Sequence, residues 1–441
     1  MSLLNNLNTA SSGLGVSSTS MSVIGDNIAN INTVGFKGSE ASFADLMPNQ
    51  VGGLAGASSI GSGAATNTVA TMFGQGALSA SSNALDMAIS GDGFFMVEDG
   101  DDTYYTRAGQ FYLDDTGYIT TASGLRLQGY TGQGSSVGSS IGDLQIGTAP
   151  ISQNMTSEMS IEANLSSSAE YDTTPIADGD FTMDGTGDTV DDVASAGDYS
   201  TSMTVYDSLG EAHDVTLVFE KTGENEWEWH AIVDGGELSD GFEDGTAFEI
   251  SSGTMSFDED GQLTNFTQSN SNDFGNAWNF AGAEQTDFAF NFGIDSNGDS
   301  VDGGITQNAS DSTVTSVSQD GYATGTLTTI EVDSDGTIYG TYTNGQEIAL
   351  GQVALADFSA PSGLDRVGGS LFSATVASGD PAIGVAGTGG RGDIFGSAVE
   401  GSNVELEEQF VKMITAQRSY QANSRVFSAN SDLLQELVNL V

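Results

Sequence analysis

The chain opens on a run in which apolar side chains recur at helical spacing with almost no charge between them. Leu7, Leu14, Met21 and Ile28 stand seven apart, and Leu3, Ala10, Ser17, Ile24 and Ile31 form a second series of the same period. Together they predict an amphipathic helix with a coiled-coil-like seam. No charged residue precedes Asp26 and no proline interrupts the run, but Gly13, Gly15 and Gly25 weaken it, by about 1 kcal/mol each relative to alanine. Alone it is a poor helix and needs a partner. The far end of the chain matches it. Leu406, Met413, Tyr420, Phe427 and Leu434 keep the seven-residue spacing through to Val441, and Phe410, Leu437 and Val438 widen the stripe. Ser402 or Asn403 is the expected N-cap, with Glu405, Glu407 and Glu408 in the first turn, where the helix dipole favours acids. Two such helices, neither covered by its sequence neighbours, predict pairing with each other and with further copies of the chain. Two ordinary core helices of one domain are the alternative.

Between the helices the period changes from helical to alternating. Leu85, Met87 and Ile89 alternate before a Gly91-Asp92-Gly93 turn, and short strands follow as far as the turn at Asp114 to Gly117. Val215, Leu217 and Phe219 alternate in a hairpin further on, and turns at Asp335-Gly336 and Asn344-Gly345 join three strands. Turn signals every eight to twelve residues favour sandwiches or small barrels over a parallel sheet. The Gly/Ser/Ala/Thr-rich stretch from Gly52 to Ser82 has the composition of an extended connector. The fold class is therefore mainly β with α-helical termini. The expected organisation is nested: paired terminal helices at 1–34 and 398–441, a connector at 35–78, a β-rich middle domain from 79–150 and 318–397, and an outer β domain inserted at 151–317.

Charge narrows the partners. The 441 residues carry 61 acids against 9 bases, a net charge of −52. Lys221 is the one base between Arg126 and Arg366, while Lys412, Arg418 and Arg425 cluster near the C-terminus. A strongly acidic body repels a phosphate backbone, so nucleic acid is not an expected partner. No apolar run is long enough to insert in a membrane as a helix, and the N-terminus lacks the pattern of a cleavable secretory signal. With no cysteine, thiolate chemistry and disulfides are ruled out.

No catalytic constellation is visible, so no enzyme activity, cofactor or metal is expected. His213 and His230 are the two histidines and read as packed or surface side chains. Asp295, Asn297 and Asp299 begin like a calcium loop, but Ser300 stands where glycine is needed and Thr306 where a bidentate glutamate belongs. Asp258 to Gly261 reads as a hairpin turn, and Arg391-Gly-Asp393 as a chance tripeptide in a glycine-rich loop. A secreted β-rich adhesin is the reading from another class, suggested by the acidic middle; a carbohydrate-active enzyme is a weaker one.

The blocks VIGDNIANINTVGFKGSEASFADL (23–46), ALDMAISGDGFFMVE (84–98), YYTRAGQFYLDDTGYI (104–119), VYDSLGEAHDVTLVFEKTG (205–223) and the closing 396–440 resemble, in order, the flagellar axial rod and hook protein family. The resemblance implies a self-assembling structural protein outside the cell. Its subunits would stack helically into a hollow tube, with terminal helices lining the inside and β domains outside. The 205–223 block and the length favour hook over distal rod. On this resemblance, Leu7, Leu14, Met21, Ile24, Ile28 and Ile31 form the inner interface with Leu406, Phe410, Met413, Tyr420, Phe427, Leu434 and Leu437. Phe43 and Met47 match a signal read by the flagellar export apparatus, in a family exported without a cleaved signal peptide. Partners implied are the chain itself, the distal rod protein, the hook cap and the hook–filament junction protein.

Overall fold

Long helices stand at both ends of the chain, Ser2–Ala29 and Leu406–Asn439, and strands fill most of what lies between. The computed structural model describes residues 2–47, 49–53, 56–100, 102–133, 136–147, 149–170, 176, 188–239, 244–270, 279–285, 287–293 and 304–439. The Asp295, Asn297 and Asp299 turn lies outside these residues, as do Val441 and the side chain of Leu437.

The chain divides into two compact units: Met1–Thr148 with Thr328–Thr341 and Glu347–Val441, and Ala149–Leu327 with Tyr342–Gln346. In the first unit, strands from both sides of the insertion share one sheet. Strand Glu347–Asp357 sets Gln352 opposite Tyr130 and Leu355 opposite Phe95, both antiparallel. Strand Met87–Ser90 pairs with Asp393–Gly396, and Leu78–Ala80 with Ala398–Glu400. The alternation of Leu85, Met87 and Ile89 marks a strand, but the intervening Ala88 is buried too, so no face of it is open. An aromatic cluster fills the core, with Phe94 against Phe73 and Phe372 and Tyr105 edge-on to Phe358. Turns fall where the sequence places them: Gly117 and Gly336 both take φ of +84°, open to glycine at no steric cost. Within 35–78, expected as an extended connector, Ser39–Asp45 pairs antiparallel with Ala64–Thr71, and both strands lie along the N-terminal helix. Small side chains weaken a strand but leave its backbone ladder intact.

In the second unit, Tyr199–Tyr206, Ala212–Gly223, Glu226–Asp234, Ala247–Phe257 and Leu263–Phe266 form an antiparallel meander. A second sheet is centred on Glu158–Ser166, whose Met159, Ile161, Ala163 and Leu165 face inward. The two sheets share a core built round Phe219, Trp227, Trp229 and Phe292. Val215, Leu217 and Phe219 alternate inward as expected. Val218 is buried as well, because the short helix Val190–Ala196 covers the meander's other face. The segments that enter and leave the unit run side by side: Ile151 bridges Gly325, and Asn154 bridges Tyr322.

The two ends of the chain meet in a polar knot. Beyond the N-terminal helix, Gly35 takes φ of +66°, and a Cβ there would lie 2.3 Å from the Ala108 nitrogen. Its N–H donates to the Glu400 carbonyl at 2.8 Å. Phe36 is buried beneath the Arg366 guanidinium, 4.9 Å from the ring centroid. The Lys37 side chain is wholly buried. Its Nζ donates to Glu400 Oε1 at 2.6 Å and to the Gly74 carbonyl at 2.8 Å. Glu400, equally buried, accepts the Gly76 N–H at 2.7 Å and lies 3.5 Å from Arg107. Burial pushes the Lys37 ammonium below its ordinary range, against the hydrogen bond and charge of Glu400; burial lowers Arg107 in the same way. Asn403 was an expected N-cap, but the helix starts later, at Leu406, and the Asn403 side chain is committed elsewhere. It accepts the Gly38 N–H at 2.8 Å and donates to the Met72 and Gly74 carbonyls.

Removing one partner of a buried pair strands the other without a counter-charge, which costs about 3–5 kcal/mol. Glu400→Gln is therefore expected to destabilise the first unit by about that amount, measured by urea unfolding followed by circular dichroism. Lys37→Met combined with Glu400→Gln recovers part of the loss. A single-variant change below about 1 kcal/mol, the scale of an exposed pair, would show the knot to be dispensable.

Candidate assembly interface

The N-terminal helix is built to be approached closely. Of its two apolar series, Ala10, Ser17 and Ile24 are buried, while Leu7, Leu14, Met21 and Ile28 are half-buried. Two of its serines bond locally: Ser12 Oγ donates to the Thr9 carbonyl and Ser17 Oγ to the Gly13 carbonyl, both at 2.8 Å. Gly13 has a purpose, since a Cβ there would meet Asn423 Nδ2 of the C-terminal helix at 2.6 Å. Asn27, near the other end, donates to Gln409 Oε1 at 3.2 Å. These two contacts run in opposite order along the helices, so the helices pack antiparallel, with two heptads of each between the contacts. Asn27 also fixes the chain beyond its own helix, accepting the Ser39 N–H at 2.9 Å and donating to the Ser39 carbonyl at 2.8 Å.

The face that the C-terminal helix turns inward is not the predicted apolar one. Its buried and half-buried residues step by seven through Gln409, Ala416, Asn423 and Asn430. This seam of small and amide side chains escaped the sequence reading because it contains no large hydrophobe. Its regular spacing opposite Gly13 was the available signal. Ile24 is buried against this side of the molecule, but the expected apolar partners are left about half exposed. Leu406 is 41% exposed, Phe410 48%, Tyr420 40% and Phe427 41%, while Met413 and Leu434 are half-buried. Ile31 lies beyond the end of the N-terminal helix, half-buried in the turn that follows. The expected pairing of the two terminal helices is present, and together the C-terminal helix and the Ser39–Asp45 strand cover one side of the N-terminal helix.

A groove of about 520 Å³ runs between the helices and that strand, lined by Gly13, Ser17, Phe43, Lys412 and Ala416 among others. Lys412 bridges its rim, 3.0 Å from Glu40 and 3.1 Å from Glu408, and those bonds raise its pKa above the ordinary value. Phe43 is 41% exposed on its strand, and Met47 just beyond is open to solvent. No described helix is long and apolar enough to cross a membrane. Among the described residues one group, Asp207, Glu211 and His213, could hold a metal ion; it belongs to the second unit.

Four family models match the chain. They are the flagella basal body rod protein (7–37), the flagellar hook protein FlgE/F/G D1 domain (88–166), the flagellar basal body protein FlaE D2 domain (177–322) and the flagellar basal body rod FlgEFG protein C-terminal region (396–440). The flagellar hook protein FlgE of Escherichia coli is 33% identical over 439 residues, covering 98% of each chain. That of Borreliella burgdorferi is 31% identical, covering 99% of this chain and 100% of its own. Among solved structures, the Helicobacter pylori flagellar hook protein FlgE2 has a TM-score of 0.50 at 14% identity, covering 72% of this chain and 98% of that one, which is a likeness of fold.

Asn27→Leu keeps the helix but leaves the buried Ser39 N–H and carbonyl without partners, at about 1–3 kcal/mol for each group. The variant is expected to exchange the Ser39 amide hydrogen at least about tenfold faster and to lower the unfolding midpoint. Unchanged exchange at Ser39 would contradict the clamp.

Proposed function

The chain belongs to the flagellar hook protein family, and we propose that its half-exposed C-terminal stripe is the surface through which it polymerises. Its place is the bacterial flagellum, at the hook and basal body, as a structural subunit of the motility apparatus that assembles with copies of itself. The terminal helices, 1–34 and 398–441, line a hollow, curved helical tube that serves as a universal joint, passing torque while it bends. Leu7, Leu14, Met21, Ile28 and Ile31 present one side of each helix pair to neighbours, while Ile24 is buried within the chain; Leu406, Phe410, Met413, Tyr420, Phe427 and Leu434 present the other. The segment 35–78 connects this lining to the β domains, 79–150 with 318–397 and the inserted 151–317.

One observation carries this reading: a row of large apolar side chains on an ordered helix is left about half exposed. Completing the burial of each gains about 1 kcal/mol, and a helical polymer repeats that gain at every subunit. Polar contacts between outer domains exchange more readily than such a stripe, which allows bending without disassembly. The tube's ends meet the distal rod protein, the hook cap and the hook–filament junction protein. The subunit reaches its site through the flagellar export apparatus, with Phe43 and Met47 as the signal that apparatus reads.

Purified chain viewed by negative-stain microscopy is expected to form short curved tubes, more readily as salt screens the net charge of −52. Phe427→Asp is expected to abolish tubes while leaving the circular dichroism and the unfolding midpoint of the single chain nearly unchanged. Tubes from that variant would refute the assignment of the stripe, and straight rods from the native chain would favour the distal rod alternative.

A further inference from the structure

In the second unit, the turn between strands Tyr199–Tyr206 and Ala212–Gly223 is held by one oxygen of Asp207. Its Oδ1 accepts the N–H groups of Leu209 and Glu211, both at 2.8 Å. The other oxygen, Oδ2, is aimed at the following strand. Asp207 is 1% exposed, and Oδ2 has no hydrogen-bond partner. At 3.6 Å from it stands Nε2 of His213, a residue 7% exposed, and that nitrogen also lacks a hydrogen-bond partner. The opposite ring nitrogen, Nδ1, is 2.7 Å from Glu237 Oε2, and the ring is stacked on Phe280 with centroids 3.7 Å apart.

The hydrogen bond to Glu237 decides which ring nitrogen is which. A carboxylate at Nδ1 accepts a proton from it, and Nε2 is then left with its lone pair. Two buried lone-pair atoms, a carboxylate oxygen and an imidazole nitrogen, therefore face each other, and unsatisfied buried acceptors cost about 1–3 kcal/mol apiece. Glu211 adds a carboxylate from the solvent side. One ligand atom from each of Asp207, Glu211 and His213 lies within 4.8 Å of the other two.

We propose that Asp207, Glu211 and His213 bind a divalent transition-metal ion of the zinc type, with Glu237 orienting the histidine. The spacing suits it: the edge of a tetrahedron with bonds of about 2.1 Å is about 3.4 Å, close to the 3.6 Å between Asp207 Oδ2 and His213 Nε2. The imidazole nitrogen selects against calcium and magnesium, which take oxygen ligands. Stacking on Phe280 and the bond to Glu237 fix the ring before any ion arrives, so little ordering is left for binding to supply. Glu211, as the exposed ligand, is where the ion enters and where a fourth position stays open to water. An imidazolium bridging Asp207 and Glu237 is the rival arrangement, and metal titration separates the two.

The test uses full-length chain in high salt with excess Mg2+, so that diffuse binding to the acidic surface is saturated. Zn2+ uptake is measured by equilibrium dialysis, and Co2+ is followed by its visible absorption. The expected result is a single tight site per chain, Co2+ bands that Zn2+ displaces, and a thermal midpoint raised by Zn2+. Glu211→Gln alters an exposed side chain, so it folds normally, and it is expected to weaken Zn2+ at least about tenfold; Glu237→Gln does so by about 10–100-fold. His213→Gln, checked for folding by circular dichroism, abolishes the Co2+ bands. Zn2+ uptake that fails to saturate above the diffuse background, or that is the same in Glu211→Gln and His213→Gln as in the native chain, would overturn the proposal.

Discussion

A lysine ammonium and a glutamate carboxylate, both shut away from solvent, join residues 363 positions apart at Lys37 and Glu400. Desolvating such a pair costs several kcal/mol per ion, so it persists only where other groups satisfy what the pair leaves open. Here they do so for Lys37 Nζ and Glu400 Oε1, through the Gly74 carbonyl and the Gly76 N–H, while Glu400 Oε2 has only the charge of Arg107 at 3.5 Å. Gly35 and Gly38 bring the backbone close enough for this, and Asn403 threads the same region from the C-terminal side. The exit of the first helix and the approach to the second thereby become one rigid object. Everything the helices do together follows from being launched from it.

The helix pair then separates two tasks onto two faces. Gly13, Ser17, Gln409, Ala416 and Asn423 bring the helices close through small and amide groups, which match shape but contribute little apolar area. The large hydrophobes, Phe410, Tyr420 and Phe427, point elsewhere and remain half exposed. The helix pair is thus joined through polar and small groups rather than through its large hydrophobes.

Much of this was legible in the sequence. The two seven-residue series gave the terminal helices, and alternation with Asp-Gly and Asn-Gly turns gave the β middle. The direction of the C-terminal helix about its own axis was not legible, because the hydrophobic stripe is the loudest signal and usually marks the inward face. In this chain the inward face is the quiet one, at Gln409, Ala416, Asn423 and Asn430. Lys37, Arg107 and Glu400 carried no periodicity at all, and only the fold brings them together. His213 read as a packed side chain, which it is; its relation to Asp207, six residues earlier across a tight turn, depends on which carboxylate oxygen the turn consumes.

The placement of Trp227 and Trp229 in the core of the second unit has an optical consequence. All three tryptophans of the chain, Trp278 included, fall between residues 149 and 327. Tryptophan emission is therefore a private reporter of the insertion, dark to events at the terminal helices. Twelve tyrosines spread along the chain supply the complementary absorbance. A denaturation curve read at tryptophan emission would follow the insertion, while far-UV ellipticity follows the backbone of both units, and any separation of the two curves would measure how independently the units melt.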